Sequence, residues 1–142
     1  MRRPAALLAA LALTGCGGTR EPSDEEKVRA TLTQFADATA KKDYQRLCDE
    51  IFAKELLRGI SEIGLPCEVA MRNSLEDVDN PRLTVGRVSV KGERASAEVR
   101  TSADGQAPSR DTVRLTKVEN GWRVSSLSDP AGLEPTPEPT TR

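Results

Sequence analysis

Two stretches decide the fold of this chain: RLTVGRVSVKGERASAEVR (82–100) and RDTVRLTKVENGWRV (110–124). Apolar residues recur at every second position, which is the period of a strand with one buried face. The alternation changes phase at Gly86, and glycine inside a strand often marks a bulge. Turn residues lie at Lys91-Gly92, at 104–108 and at Asn120-Gly121. The pattern therefore predicts a four-stranded antiparallel sheet with one apolar and one wet face.

The last hairpin of this sheet fixes which side chains face inward. Asn-Gly favours a type I′ turn, because both central positions of that turn require positive φ. With Asn120-Gly121 at those positions, Trp122 and Val124 share the inner face with Val113 and Leu115, and Lys117 has the same phase. The charged residues are predicted on the outer face, namely Arg94, Glu98, Arg100, Arg110, Asp111 and Arg114.

Helical periodicity precedes the strands. Ser23 and Glu26 form a capping-box pattern, and apolar residues at helical spacing then predict a helix over 24–41. A second helix is predicted from Asp43, with one apolar face that continues to Leu56. Gly59 and Gly64 are expected to loosen the chain over 59–65. Pro66 is expected to begin a third helix that ends in the turn residues 77–81.

The N-terminus has the pattern of an export signal. Arg2 and Arg3 precede a nine-residue apolar run (5–13), which is too short to span a bilayer but suits a secretion signal. The run ends in Leu13-Thr14-Gly15-Cys16, which resembles the bacterial lipobox. That resemblance implies cleavage before Cys16 and attachment of acyl chains such as palmitate to its thiol. An ordinary signal with a chance cysteine, or an uncleaved helix, is the alternative.

The cysteines then divide into one lipid site and one pair. Cys48 and Cys67 remain as an even pair in an oxidising compartment, which favours a disulfide between them; two buried free thiols are the alternative. Residues 1–15 contain two of the 21 basic residues, so the mature chain has 19 basic and 22 acidic residues, a net charge of −3.

Composition excludes several classes of function. A near-neutral charge argues against nucleic acid as a partner, since phosphate binding needs an excess of Lys and Arg. The absence of histidine excludes Ser-His-Asp and Cys-His catalysis and His-ligated zinc. We therefore expect no catalytic residue, no metal and no cofactor.

Helices followed by a four-stranded meander resemble the nuclear transport factor 2-like (NTF2-like, cystatin-like α+β cone) superfamily. The resemblance rests on VRATLTQFADATAKKDYQRL (28–47), on Cys48 and Cys67, and on Gly121-Trp122-Arg123-Val124. More narrowly, the chain is similar to lipobox-bearing members from high-GC Gram-positive bacteria. The superfamily implies an α+β cone with a mouth between sheet and helices. Its members include isomerases and dehydratases, ligand binders and dimerising modules, so the fold alone does not decide the function.

Three residues are candidates for the pocket or its rim: Tyr44, Lys117 and Trp122. A tyrosine could donate a hydrogen bond to an oxyanion, and a buried lysine could bind an anion. Two of them have a structural alternative, in which Tyr44 packs on the first helix and Lys117 reaches solvent at the hairpin. Asp37 and the acidic cluster of Glu76, Asp77 and Asp79 are expected to be solvated.

The sequence thus predicts a signal peptide (1–15), a lipidated Cys16 with a tether (16–23), an α+β domain (24–127) and a disordered Pro-rich tail (128–142). We expect a lipid-anchored protein on the extracytoplasmic face of the cell membrane. It would bind a small apolar ligand or an envelope protein without catalysis. The alternatives are an isomerase- or dehydratase-type enzyme, and a structural module that dimerises through the outer sheet face.

Overall fold

The structure is a computed structural model that describes residues 20–130, with backbone alone for 128–130. It is an α+β fold in which four helices pack on a curved four-stranded antiparallel sheet. The predicted signal peptide, Cys16 and residues 131–142 lie outside the described residues. No helix in the described part of the chain has the length and apolar character needed to cross a bilayer.

Helix α1 (Asp24–Ala40) begins as the sequence predicts. The Ser23 side chain accepts from the Glu26 backbone N–H, and the Glu26 carboxylate accepts from the Ser23 N–H, so both halves of the capping box are formed. Asp24, Glu25 and Glu26 place negative charge at the positive end of the helix dipole. Val28, Leu32 and Ala38 on its inner face are fully buried.

The predicted second helix is divided in two. Helix α2 (Tyr44–Arg46) continues as a π-helical turn (Leu47–Ile51), and the chain then becomes extended at Phe52. Phe52 forms an isolated parallel bridge with Val124, and the Ala53 N–H donates to the Val124 carbonyl at 2.8 Å. The prediction of one helix through Leu56 was therefore wrong, because a contact with the last strand interrupts it.

Helices α3 (Lys54–Glu62) and α4 (Cys67–Ser74) follow. Gly59 lies inside α3, so the predicted loosening of the chain at 59 was wrong; the break comes at Gly64, which has a φ of +81°. Pro66 is the N-cap of α4, so the helix begins one residue later than predicted, at Cys67.

The sheet contains β1 (Arg82–Lys91), β2 (Arg94–Ser102), β3 (Ser109–Val118) and β4 (Gly121–Pro130), in sequential antiparallel order. The register of β1 against β2 shifts between Val85 and Val88, which confirms the bulge at Gly86. A Cβ at Gly86 would lie 3.2 Å from the Glu98 carbonyl oxygen, so the strands are close there. Strand β4 extends three residues beyond the predicted domain end at 127.

The last hairpin forms, but its turn differs from the predicted one. Val118 pairs with Gly121, so Glu119 and Asn120 are the central residues. Among residues 20–130, the non-glycine residues with positive φ are Lys42 and Asn80, so Asn120 does not adopt the type I′ conformation. Gly121 has the unusual φ, +143°. The predicted inner face is unaffected, since Lys117 pairs with Trp122 and Leu115 with Val124.

Candidate functional site

An apolar cavity of about 370 Å³ lies between the inner face of the sheet and the helices, and we call it the inner cavity. Phe35 lines it from α1, Leu56 and Ile60 from α3, and Met71 from α4. The sheet contributes Leu83, Val99 and Leu127. A neighbouring cavity of similar volume shares part of this wall, including Phe35 and Leu83. A cavity of this size and lining is typical of small-molecule sites.

Asp111 is the single ionisable side chain among the described residues that line the inner cavity. The Ser109 hydroxyl donates to Asp111 Oδ2 at 2.7 Å, and Thr101 Oγ1 lies 2.7 Å from Ser109 Oγ. All three residues lie on the inner phase of the sheet, because Thr101 pairs with Ser109 and Asp111 pairs with the buried Val99. The cavity therefore combines apolar walls with one polar end.

The placement of Asp111 corrects the prediction that put it on the outer face. Strand alternation counted back from Leu115 and Val113 leads to Asp111, so it has the inner phase. The prediction assigned Asp111 to the outer face because other charged residues lie near it, although the two-residue period of the strand places it on the inner face. The same counting gives Ser109 the inner phase too, although its side chain is exposed and lines the neighbouring cavity.

Lys117 and Trp122 come together at the opposite end of the sheet. They are cross-strand partners, and Lys117 Nζ lies 5.8 Å from the centre of the Trp122 rings. Trp122 is buried, whereas the Lys117 side chain is 42% exposed, as expected if the strand ends there. Both contact Asp24, whose Oδ2 accepts from Lys117 Nζ at 2.9 Å and whose Oδ1 accepts from Trp122 Nε1 at 3.2 Å.

These contacts set the electrostatics of the hairpin. The hydrogen bonds from Lys117 and then from Trp122 lower the pKa of Asp24 below its ordinary value of 3.8. A wide surface groove of about 910 Å³ runs beside the hairpin, and its lining is of mixed charge, including Lys27, Glu50, Lys54 and Glu119. Lys117 and Trp122 thus line this groove and not the inner cavity.

Tyr44 lies outside the inner cavity. It is half-buried against the core, and the Arg72 guanidinium is 5.8 Å from its ring centre. The lining of the inner cavity does not include it. The packing alternative for Tyr44 is therefore the one that agrees with its position.

The remaining acidic candidates are at the surface. Asp37 is 42% exposed and forms ion pairs with Lys41 at 2.9 Å and with Arg46 at 3.5 Å. Glu76, Asp77 and Asp79 are exposed. Within residues 20–130, no group of three or more His, Cys, Asp or Glu side chains is placed to hold a metal ion.

The disulfide between Cys48 and Cys67 is formed, with a Cα–Cα distance of 6.0 Å. It joins the π-helical turn after α2 to the first residue of α4, as the sequence predicted. Because α4 supplies Ala70, Met71 and Ser74, and its C-cap supplies Leu75, to the lining of the inner cavity, the bond also fixes part of that wall.

The described fold is similar to several solved structures, among them NTF2-like proteins. An NTF2-like protein of unknown function from Silicibacter pomeroyi has 20% identity and a TM-score of 0.51, with 70% of this chain and 88% of that chain covered. A proposed dehydratase from the NTF2-like family of Streptomyces avermitilis has 13% identity and a TM-score of 0.52, with 72% and 92% covered. A designed protein with a curved β-sheet has 21% identity and a TM-score of 0.51, with 69% and 93% covered.

At these identities the similarity establishes the fold alone. A scan of protein-family models found no match to the chain, and a search of curated proteins also found none. The described residues have the NTF2-like fold, which a proposed dehydratase and proteins of unknown function also have.

Proposed function

We propose that this protein is a lipid-anchored lipoprotein of the extracytoplasmic membrane face, and that its NTF2-like domain binds a small apolar ligand. The observation that carries the ligand proposal is the inner cavity, about 370 Å³ in volume, with apolar walls from three helices and the sheet. A largely apolar cavity with a few polar groups is the usual form of a small-molecule site. The mixed charges of the outer sheet face, such as Arg87 with Glu98 at 3.8 Å, make it the weaker candidate surface.

The anchor proposal rests on the sequence. Leu13-Thr14-Gly15-Cys16 follows a short apolar run, and only a few residues separate Cys16 from the capped start of α1 at Asp24. Two acyl chains would hold the protein firmly, since each buried CH₂ contributes about 0.8 kcal/mol. The disulfide of the domain suits an oxidising compartment outside the cytoplasm.

Cavity filling tests the ligand proposal. Leu83→Trp would place an indole in the inner cavity, whereas Thr84→Trp places the same group on the outer face of the same strand. We expect a neutral dye such as Nile red to bind the wild-type protein and Thr84→Trp, and to bind Leu83→Trp at least tenfold more weakly. Equal binding of the dye by both variants would contradict the proposal. Thermal melting verifies that each variant is folded.

Intact mass spectrometry of the membrane fraction tests the anchor. We expect a mature chain that begins at Cys16 and carries the mass of two or three acyl chains. Cys16→Ala should be recovered without that mass and outside the membrane fraction. A wild-type chain of unmodified mass would refute lipidation.

An isomerase- or dehydratase-type enzyme is the second candidate, and one observation favours it. Asp111 sits in an apolar cavity, where a carboxylate could remove a proton from a carbon acid. Tyr44, the oxyanion donor that the sequence suggested, is not among the residues that line that cavity. Conversion of 3-cyclohexenone to its conjugated isomer, followed by ultraviolet absorbance, tests this candidate; activity lost in Asp111→Asn would support it.

A further inference from the structure

We infer that the ligand of the inner cavity carries a protonated amine, which pairs with Asp111. The inference rests on the proposed ligand-binding function and adds the chemical class of the ligand. It is argued from the direction of the hydrogen bonds made by the hydroxyl groups around the cavity.

The hydroxyls at the polar end all point their hydrogens toward Asp111. Ser109 has one hydroxyl hydrogen and donates it to Asp111 Oδ2 at 2.7 Å. In its 2.7 Å contact with Thr101, Ser109 must therefore be the acceptor, and Thr101 donates. The chain of hydrogen bonds runs from Thr101 through Ser109 to the carboxylate.

The two other hydroxyl groups that line the inner cavity also donate their hydrogens within the protein. Thr39 donates to the Phe35 carbonyl at 2.8 Å, and Ser74 donates to the Ala70 carbonyl at 2.9 Å. The side chains that line the inner cavity in the described structure thus offer lone pairs and one negative charge to a ligand. Arg82 lines the neighbouring cavity and not this one.

A cavity with this polarity discriminates among apolar molecules by their polar group. A ligand that fills the cavity displaces water from Asp111, and a carboxylate that loses water without gaining a partner is strongly unfavourable. A carboxylic acid or a phosphate would add repulsion. An ammonium group supplies both the opposite charge and the missing donors, and a neutral hydroxyl supplies one donor without charge.

Three probes with the same eight-carbon chain test the inference by isothermal titration calorimetry: octylamine, octanol and octanoate. The protein is the full chain with Cys16→Ser, which cannot be acylated. We expect octylamine to bind about tenfold more tightly than octanol, the size typical of one charge-assisted hydrogen bond, and octanoate to bind most weakly. Asp111→Asn should reduce octylamine to the affinity of octanol.

Glu98→Gln is the matched control, because it removes the same charge from the exposed outer face. Glu98→Gln should leave the preference for octylamine intact. If Glu98→Gln and Asp111→Asn lose octylamine affinity equally, the attraction is nonspecific and the inference is overturned. Ser109→Ala, at an exposed position, keeps the charge and should weaken octylamine binding a few-fold, which provides a check if Asp111→Asn does not fold.

The two proposals fail in different ways. If octanol or octanoate binds wild-type protein as tightly as octylamine, the amine inference fails while ligand binding stands. If none of the three probes binds, or if Leu83→Trp does not weaken them, the proposed ligand-binding function fails.

Discussion

The indole Nε1 of Trp122 donates to Asp24 Oδ1 at 3.2 Å, across 98 positions of the chain. The contact joins the first turn of α1 to the last hairpin of the sheet, and Lys117 binds the other oxygen of the same carboxylate. A single side chain thereby connects the N-terminal helix to the strand that completes the sheet.

Replacement of Asp24 by Asn should destabilise the protein at neutral pH and progressively less in acid. The pKa of Asp24 lies below its ordinary value of 3.8 in the folded protein. At a pH between the folded-state pKa and 3.8, the unfolded chain therefore binds more protons than the folded chain. The stabilisation by Asp24 is therefore present above about pH 4 and is lost as the pH falls through the folded pKa. Melting temperatures measured from pH 7 to pH 2.5 test this.

Glu25→Gln is the control for that experiment. Glu25 occupies the same helical turn and forms an exposed ion pair with Arg29 at 3.1 Å, so its replacement should change the melting temperature little. A wild-type advantage over Asp24→Asn that stays constant down to pH 2.5 would contradict the role assigned to Asp24.

Removal of the N-cap side chain should weaken α1. Ser23→Ala leaves the Glu26 backbone N–H without its acceptor, and such substitutions typically cost about 1 kcal/mol. Urea unfolding followed by circular dichroism should show the loss, and Thr33→Ala, at an exposed mid-helix position, should show no comparable loss. Equal stability of Ser23→Ala and wild type would mean that the cap is dispensable.

Loss of the disulfide should cost about 3 kcal/mol, because the bond closes a loop of roughly 20 residues in the unfolded chain. Guanidinium unfolding with and without dithiothreitol measures this directly. The double variant Cys48→Ala/Cys67→Ala should match the reduced wild-type protein and should not respond to the reductant. A wild-type protein whose unfolding is indifferent to reductant would refute the bond.

Phe52→Ala should be among the most destabilising single changes. Phe52 is fully buried and packs near Phe35, with ring centres 6.2 Å apart, so its truncation leaves a core cavity that costs about 3–5 kcal/mol. Leu65→Ala is the control, because Leu65 is 37% exposed. A loss below about 1 kcal/mol for Phe52→Ala would show that the core collapses around the gap.

The sequence was sufficient where local rules act. Strand alternation, the glycine at the bulge and the capping box are each read from neighbouring residues, and all were confirmed. The pairing of Cys48 with Cys67 followed from the number of cysteines left after Cys16. These features depend on few residues at fixed spacing, which is why a single chain reveals them.

A long-range contact caused one of the wrong predictions. The helix predicted through Leu56 breaks because Ala53 donates to the Val124 carbonyl, a partner 71 positions away that no local period announces. The site was missed for a different reason, since the period places Asp111 inward while its charge suggested the wet face. A charged residue on the buried phase of a strand contradicts the average pattern, and functional sites are where such contradictions are expected.

The bond between Cys48 and Cys67 also changes what a protease can do to this molecule. Helix α3 and the exposed Ile63 and Leu65 all lie between the two cysteines. A single cut there would open the backbone yet release no fragment, since both pieces stay covalently joined. The most accessible apolar segment of the domain can thus be nicked while the helices on either side remain attached to the same sheet.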